Sequence, residues 1–203
     1  MLEIKNISKS FDKKQLFKDF NLMIEDGDFL IISGESGCGK TTLLNMIGSI
    51  EKPNNGDILV DSFSVFDKKF QRKYLREKVG FLFQNFALVD EKSVKYNFDL
   101  VKGTSKSNIT YSEALSFVNL SEDVLSQKIY SLSGGEQQRV AIARLLIKRC
   151  DIILADEPTA SLDRKNANDI FELLSTINKQ GKTIIVASHD ESMQKYAGGL
   201  VKL

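Results

Sequence analysis

Residues Phe29 to Gly48 read FLIISGESGCGKTTLLNMIG, and the fold turns on this stretch. Phe29 to Ile32 is a short apolar run bounded by Gly27 and Gly34; such a run with β-branched residues reads as a buried strand. Thr41 to Ile47 carries Leu43, Leu44 and Ile47 at helical spacing. Between them, Gly34-Glu35-Ser36-Gly37-Cys38-Gly39-Lys40-Thr41 fits G-x-x-x-x-G-K-[ST] in the strand-loop-helix setting that this pattern requires. The three glycines allow turns that a Cβ would obstruct, so backbone N–H groups can converge on an anion. The following helix adds unpaired N–H groups and the positive end of its dipole. Lys40 is expected to reach the β- and γ-phosphates of a nucleotide, and the Thr41 hydroxyl to ligate Mg²⁺. Charge-assisted hydrogen bonds contribute about 1.5–3 kcal/mol each, against about 0.3–1 kcal/mol for an exposed helix dipole. Lys40 and the loop amides should therefore dominate binding.

Composition narrows the surroundings. At 203 residues the chain can bury one sizeable core. Twenty-eight Lys and Arg against 27 Asp and Glu leave a net charge of +1, with no global pull toward nucleic acid or anionic lipid. No apolar run approaches the roughly 20 residues that span a bilayer, and MLEIKNISKSF has no signal-peptide core. A cytoplasmic, soluble chain is expected. The two cysteines, Cys38 and Cys150, form no C-x-x-C pair, so neither a structural disulfide nor a thiolate metal site is expected.

Outward from the central stretch, strands are expected over Leu2–Ile7, Leu16–Ile24, Asp57–Val60, Val79–Phe83, Asp151–Ala155 and Thr183–Ala187, with residues 8–15 turn-like. Helices are expected over residues 132–148 and 166–179. Residues 68–78 carry six cations on an expected helix, which reads as a solvated face or a partner- or membrane-facing one. From about residue 86 to 132 the pattern is helical and loop-rich, with a capping box at Thr110 and Glu113; it reads as a helical subdomain inserted in one domain spanning 1–203. Alternating strands and helices imply an α/β fold around a largely parallel sheet. In such sheets ligands gather at the carboxyl ends of the strands. Four expected strands end in Ser33-Gly34, Gln84, Asp156-Glu157 and Ser188-His189, which points to one site built from four strand ends.

Asp156 and Glu157 follow Ile152-Ile153-Leu154-Ala155 and precede Pro158. Either they cap the next helix, or Asp156 holds Mg²⁺ while Glu157 acts on a water beside the γ-phosphate. His189, the one histidine, could hydrogen-bond the γ-phosphate and hold the attacking water, and Gln84 could sense Mg²⁺ or water. Leu132-Ser133-Gly134-Gly135-Glu136-Gln137-Gln138-Arg139 contains a capping box, Ser133 with Glu136. A cap needs no paired glycines, so Gly134 and Gly135 suggest a second anion site at a helix start. Two such sites in one small chain suggest that one serves a nucleotide held by another copy.

Together these motifs resemble the ATP-binding-cassette (ABC) ATPases, in family order over essentially the whole chain. The resemblance implies a P-loop NTPase core with an antiparallel β subdomain and a helical subdomain. It implies ATP and Mg²⁺ as ligands, with ATP held by Phe11, stacked on adenine, and by Gly34, Glu35, Ser36, Gly37, Cys38, Gly39, Lys40, Thr41 and Thr42. The family more often has Tyr at the stacking position. It implies catalysis by Glu157, His189, Lys40 and Gln84, and metal contacts from Thr41, Gln84 and Asp156. Ser133, Gly134, Gly135 and Glu136 would meet the ATP of a partner subunit in a head-to-tail homodimer, with Ser161, Leu162 and Asp163 crossing between sites. A membrane permease on a separate chain would dock around Gln84 to Asn97, on Phe86, Leu88 and Val89, placing the chain at the cytoplasmic face of a membrane. Within the family, GESGCGKTTLLNMIG, VGFLFQNFALVD and ADEPTASLD look like the exporter branch of macrolide-efflux, lipoprotein-release and bacteriocin-export ATPases, the peptide or bacteriocin end being favoured. A non-transport ABC ATPase or a nucleotide-sensing regulator is the alternative. No heptad tract of the DNA-repair type is present, and the near-neutral charge disfavours a nucleic-acid partner.

Overall fold

The computed structural model describes residues 1–12 and 14–203. In chain order the strands and α-helices are β1 (Leu2–Phe11), β2 (Lys14–Ile24), β3 (Phe29–Ser33), α1 (Lys40–Ile47), β4 (Asn55–Val60), β5 (Phe63–Ser64), α2 (Lys68–Lys73), β6 (Val79–Leu82), α3 (Val94–Asp99), α4 (Tyr111–Phe117), α5 (Gly134–Ile147), β7 (Ile152–Asp156), α6 (Arg164–Lys179), β8 (Thr183–Ala187) and β9 (Gly199–Lys202). Five strands form a parallel sheet in the order β6-β7-β8-β3-β9. The other four form an antiparallel sheet, β2-β1-β4-β5. This is the expected α/β architecture, a parallel sheet and a separate antiparallel one.

Strand periodicity sorts the core into two layers. Phe29 and Ile31, Ile153 and Ala155, and Ile184 and Val186 face one way, toward α5 and α6. Leu30 and Ile32, Ile152 and Leu154, and Ile185 and Ala187 face the other way, toward α1 and the antiparallel sheet. Successive side chains of a strand point to opposite faces, so near-continuous apolar runs are what a sheet covered on both sides requires. Each fully buried aliphatic side chain contributes roughly 1.5–3 kcal/mol.

Several boundaries differ from expectation. The turn expected over residues 8–15 is shorter, because β1 runs on to Phe11 and β2 begins at Lys14; residue 13 lies outside the described residues. The edge strand β9 is not expected from its four residues, which follow Gly198 and begin with a second glycine. The helix expected over residues 68–78 is α-helical only to Lys73 and then widens into a π-turn, Tyr74–Lys78. There the Tyr74 hydroxyl, fully buried, donates to the Ile47 carbonyl at 2.9 Å and ties this segment to the end of α1. Among the described residues no helix is long and apolar enough to cross a membrane.

Candidate active site

Because β6, β7, β8 and β3 are parallel neighbours, their carboxyl ends emerge along one edge. The loop after β3, Gln84 after β6, Glu157 after β7 and His189 after β8 line a single cleft of about 730 Å³. That size lies within the range of small-molecule sites. Gly34, Glu35, Ser36, Gly37, Gly39, Lys40, Thr41, Thr42 and Phe11 complete the expected lining.

The loop is shaped by its glycines. Gly39 caps α1 at φ 114, and a Cβ there would lie 2.9 Å from the Phe17 ring. Gly37 sits at φ 77. No side chain caps α1, so its first N–H groups stay directed at the loop, as an anion cradle needs. Lys40, 8% exposed, donates to the carbonyls of Gly34 (2.8 Å) and Glu35 (3.2 Å) and lies 3.9 Å from a Glu157 oxygen.

The Thr41 hydroxyl donates to Asp156 Oδ1 at 3.1 Å. Burial raises the Asp156 carboxyl above its ordinary pKa, against the Thr41 hydrogen bond and the Lys40 charge. A hydroxyl and a carboxylate side by side, with the Gln84 amide at the cleft wall, are hard oxygen donors that fit Mg²⁺. A neighbouring cation would offset the cost of keeping Asp156 ionised. Among the described residues no cluster of three or more His, Cys, Asp or Glu forms a metal cage.

Glu157 adopts φ 44, in the left-handed region, where a non-glycine residue is held only if its surroundings hold it. Its N–H donates to the Ala187 carbonyl at 2.9 Å. Its carboxylate faces His189 Nδ1 at 2.9 and 3.0 Å. An ionised carboxylate accepts only, so in this pairing Nδ1 carries the hydrogen. Phe11 is 46% exposed with Lys9 Nζ 4.7 Å from its ring centroid, so an aromatic face remains open. The segment after Gln84 is anchored by Arg144, which donates to the carbonyls of Ala87 (2.6 Å) and Phe86 (3.1 Å).

Other expected residues lie outside the cleft lining. Cys38 does not line the cleft; its Sγ sits against Gly34, 2.7 Å from where a Cβ would be. Asp156 is not in the cleft lining but accepts from Thr41, which is. Ser133, Gly134, Gly135 and Glu136 are absent from the cleft. They form the tip of α5, where Ser133 and Glu136 make the expected capping box. The Ser133 hydroxyl and N–H hold the Glu136 carboxyl below its ordinary pKa. Ser133 and Gly134 are exposed, whereas Gly135 is buried against Asn166. Asp163 caps α6 through Asn166, and Leu162 packs near Gly134. Lys14, Leu16 and Ala160 line the cleft without having been expected there. Lys14 pairs with Phe11 across the hairpin and donates to the Gly37 carbonyl at 2.8 Å; only the strand register shows this.

Comparison with known proteins identifies the family. The ABC transporter family profile matches residues 17–160. The macrolide export ATP-binding/permease protein MacB of Campylobacter jejuni is 37% identical over 209 residues, covering 100% of this chain and 33% of that protein. This chain therefore spans about a third of that relative's length. HrtA of Staphylococcus epidermidis, whose name assigns it provisionally to hemin import as an ATP-binding protein, is 38% identical over 213 residues, covering 100% of this chain and 96% of the relative. The dimeric structure of MJ0796, an ABC transporter cassette from Methanocaldococcus jannaschii, superposes with a TM-score of 0.86 at 35% identity, covering 100% of this chain and 94% of that one. A second structure of that cassette is a post-hydrolysis state bound to ADP and Pi.

Proposed function

The chain belongs to the ABC transporter family and has the ABC ATPase fold; on that premise we propose that it hydrolyses ATP between two copies of itself to drive a membrane permease on a separate chain. Phe11 stacks the base, and the loop from Gly34 to Thr42 wraps the phosphates. Lys40 leaves the carbonyls of Gly34 and Glu35 for the β- and γ-phosphates. Thr41, Asp156 and Gln84 hold Mg²⁺, which supplies charge neutralisation at the β- and γ-phosphate oxygens. Glu157 orients a water and accepts its proton, while His189, fixed by Glu157, donates toward the γ-phosphate. Gly134 and Gly135 present their N–H groups to the nucleotide of the other copy, beside Ser133 and with residues 161–163 alongside.

The observation that carries this reading is the separation of two anion sites on one chain. The cleft already contains Lys40, Glu157 and His189, while the Ser133-Gly134 tip is exposed and lies outside it. The dimeric cassette among the relatives supports the same pairing. Export of a peptide, bacteriocin, lipoprotein or drug rests on the exporter-branch motifs and on the macrolide-export relative; the chain works at the cytoplasmic face of the membrane.

Complementation tests the composite site. Lys40→Ala removes the phosphate lysine. Gly134→Asp blocks the tip without strain, since a Cβ there is 3.7 Å from its nearest neighbour. Each variant alone should neither form an ATP-dependent dimer nor hydrolyse ATP. Mixed, they reconstitute one intact site per heterodimer, and captured ATP returns. No recovery on mixing would overturn the two-copy site. ATP binding without phosphate release by the wild-type chain would favour the nucleotide-sensing alternative.

A further inference from the structure

Gln138 lies one turn beyond the α5 tip and is fully buried. Its Nε2 donates to the Pro158 carbonyl at 2.6 Å. Its Oε1 is buried and has no hydrogen-bond partner among the described residues. A side chain serving only to fill space there would be better apolar, because burying an unpaired carbonyl oxygen costs stability. The amide is therefore explained by what its donor holds. Pro158 follows Glu157, whose backbone is in the left-handed region. Glu157 is pinned from the sheet side by its N–H bond to Ala187, and the Gln138 amide holds the chain from the helix side, one residue on. The α5 tip itself rests on the first turn of α6. Gly135 lies so close to Asn166 that a Cβ would be 3.0 Å from its Oδ1, and Asn166 Nδ2 donates to Asp163 at 2.6 Å.

We infer that Gln138 is a positioning residue for Glu157, and that through it the α5 tip offered to a partner's nucleotide is tied to its own chain's hydrolytic carboxylate, so that the two sites of a dimer turn over as a coupled pair. This rests on the two-copy reading above. A displacement of the tip on contact with the partner's phosphate is passed along the first turns of α5 to Pro158. The carbonyl there moves the one residue whose strained backbone aims the carboxylate at the attacking water. Gln138 touches neither nucleotide nor water.

The full chain is assayed with Mg²⁺ and ATP. Gln138→Met keeps length and burial and removes the amide. It should lower kcat about tenfold, the value of one hydrogen bond. It should bring the Hill coefficient for ATP to near one while leaving the nucleotide Kd within about twofold. Gln138→Glu provides a second readout. Its buried carboxylic acid donates to Pro158 when protonated and repels that carbonyl when ionised. Activity should fall as pH rises through the raised pKa of the new acid, a profile absent from wild type. Unchanged kcat and cooperativity in Gln138→Met, or equal losses of Kd, kcat and melting temperature, would overturn the coupling. Should Gln138→Met fail to fold, a flat pH profile in Gln138→Glu overturns it instead. Failure of the two-copy reading is distinguishable, because wild type would then itself show a Hill coefficient of one and no ATP-dependent dimer.

Discussion

Replacing Glu157 by Gln should separate ATP binding from ATP turnover. Gln is isosteric, and its amide oxygen can still accept from His189 Nδ1, so the 2.9 Å contact that orients the imidazole survives. What disappears is a negative charge 3.9 Å from Lys40 Nζ. At that separation, with an effective dielectric of about 20, the gross attraction is about 4 kcal/mol. Both side chains are largely buried, at 9% and 17% exposure, and desolvation offsets most of that attraction. A net of about 1 kcal/mol, or about fivefold in affinity, is a fair expectation. Lys40 is then held back only by the Gly34 and Glu35 carbonyls and moves more readily to a phosphate. The γ-phosphate no longer faces a carboxylate either, so ATP affinity should rise by about that factor. The proton acceptor is gone, and hydrolysis should fall by about 10²–10⁴-fold. Steady-state phosphate release measures the second effect. Size-exclusion chromatography with light scattering in ATP and Mg²⁺ measures the first, as a persistent dimer. A variant that stays monomeric in ATP and turns over at the wild-type rate would refute the role given to Glu157.

Two further outcomes follow from one half-buried and one fully buried polar group. Asp156 has a native pKa above its unfolded value of 3.8 because burial disfavours the carboxylate. For an acid shifted upward, the stabilising contribution is present at low pH and is lost as pH rises from about 4 through the native value. Ionised Asp156 therefore costs stability at neutral pH, and Asp156→Asn should melt higher than wild type without Mg²⁺ at pH 7. That advantage should shrink near pH 4, and Mg²⁺ with ATP should stabilise wild type only; an Asn variant less stable at pH 7 would contradict this. Tyr74→Phe removes the donor to the buried Ile47 carbonyl and should cost about 1–3 kcal/mol. Burial pushes the Tyr74 phenol up, so it remains a donor throughout the working range. The loss should appear as a lower urea midpoint at constant slope, with ATP affinity unchanged.

What was legible in the amino-acid sequence depended on how local each device is. The phosphate loop and the carboxylates after β7 are continuous strings whose spacing is itself the chemistry, and they could be read directly. Both capping boxes, at Thr110 and Ser133, are likewise local and form as the residues imply. The antiparallel sheet was expected only through family resemblance: strands over Leu2–Ile7, Leu16–Ile24 and Asp57–Val60 could be read singly, but not their pairing, which carries register shifts between Ile4 and Ser10. Lys14 enters the cleft through hairpin register and Gln138 reaches Pro158 across 20 residues, so neither is marked by its neighbours. β9 is four residues with half-buried alternation at a sheet edge, too short to stand out from a loop.

The direction of the α5 tip belongs to this second, non-local class, and it decides how the chain works. The octet around Ser133 and Gly134 announces a helix start with spare N–H groups, but not where they point. Their direction is set by the buried face of α5, where Val140, Ala141, Ile142, Ala143 and Leu145 pack into the core on one side of the parallel sheet. Once that face is committed, the tip emerges over Leu162 and Asn166. The cleft opens instead at the strand ends, beside Lys40 and Glu157. The same apolar burial that stabilises the domain thus keeps the α5 tip away from its own chain's cleft. Bringing Gly134 to its own Lys40 would require unpacking α5, at roughly 1.5–3 kcal/mol for each aliphatic side chain exposed. Association with a second copy leaves that core intact, which makes it the less costly way to complete a pocket.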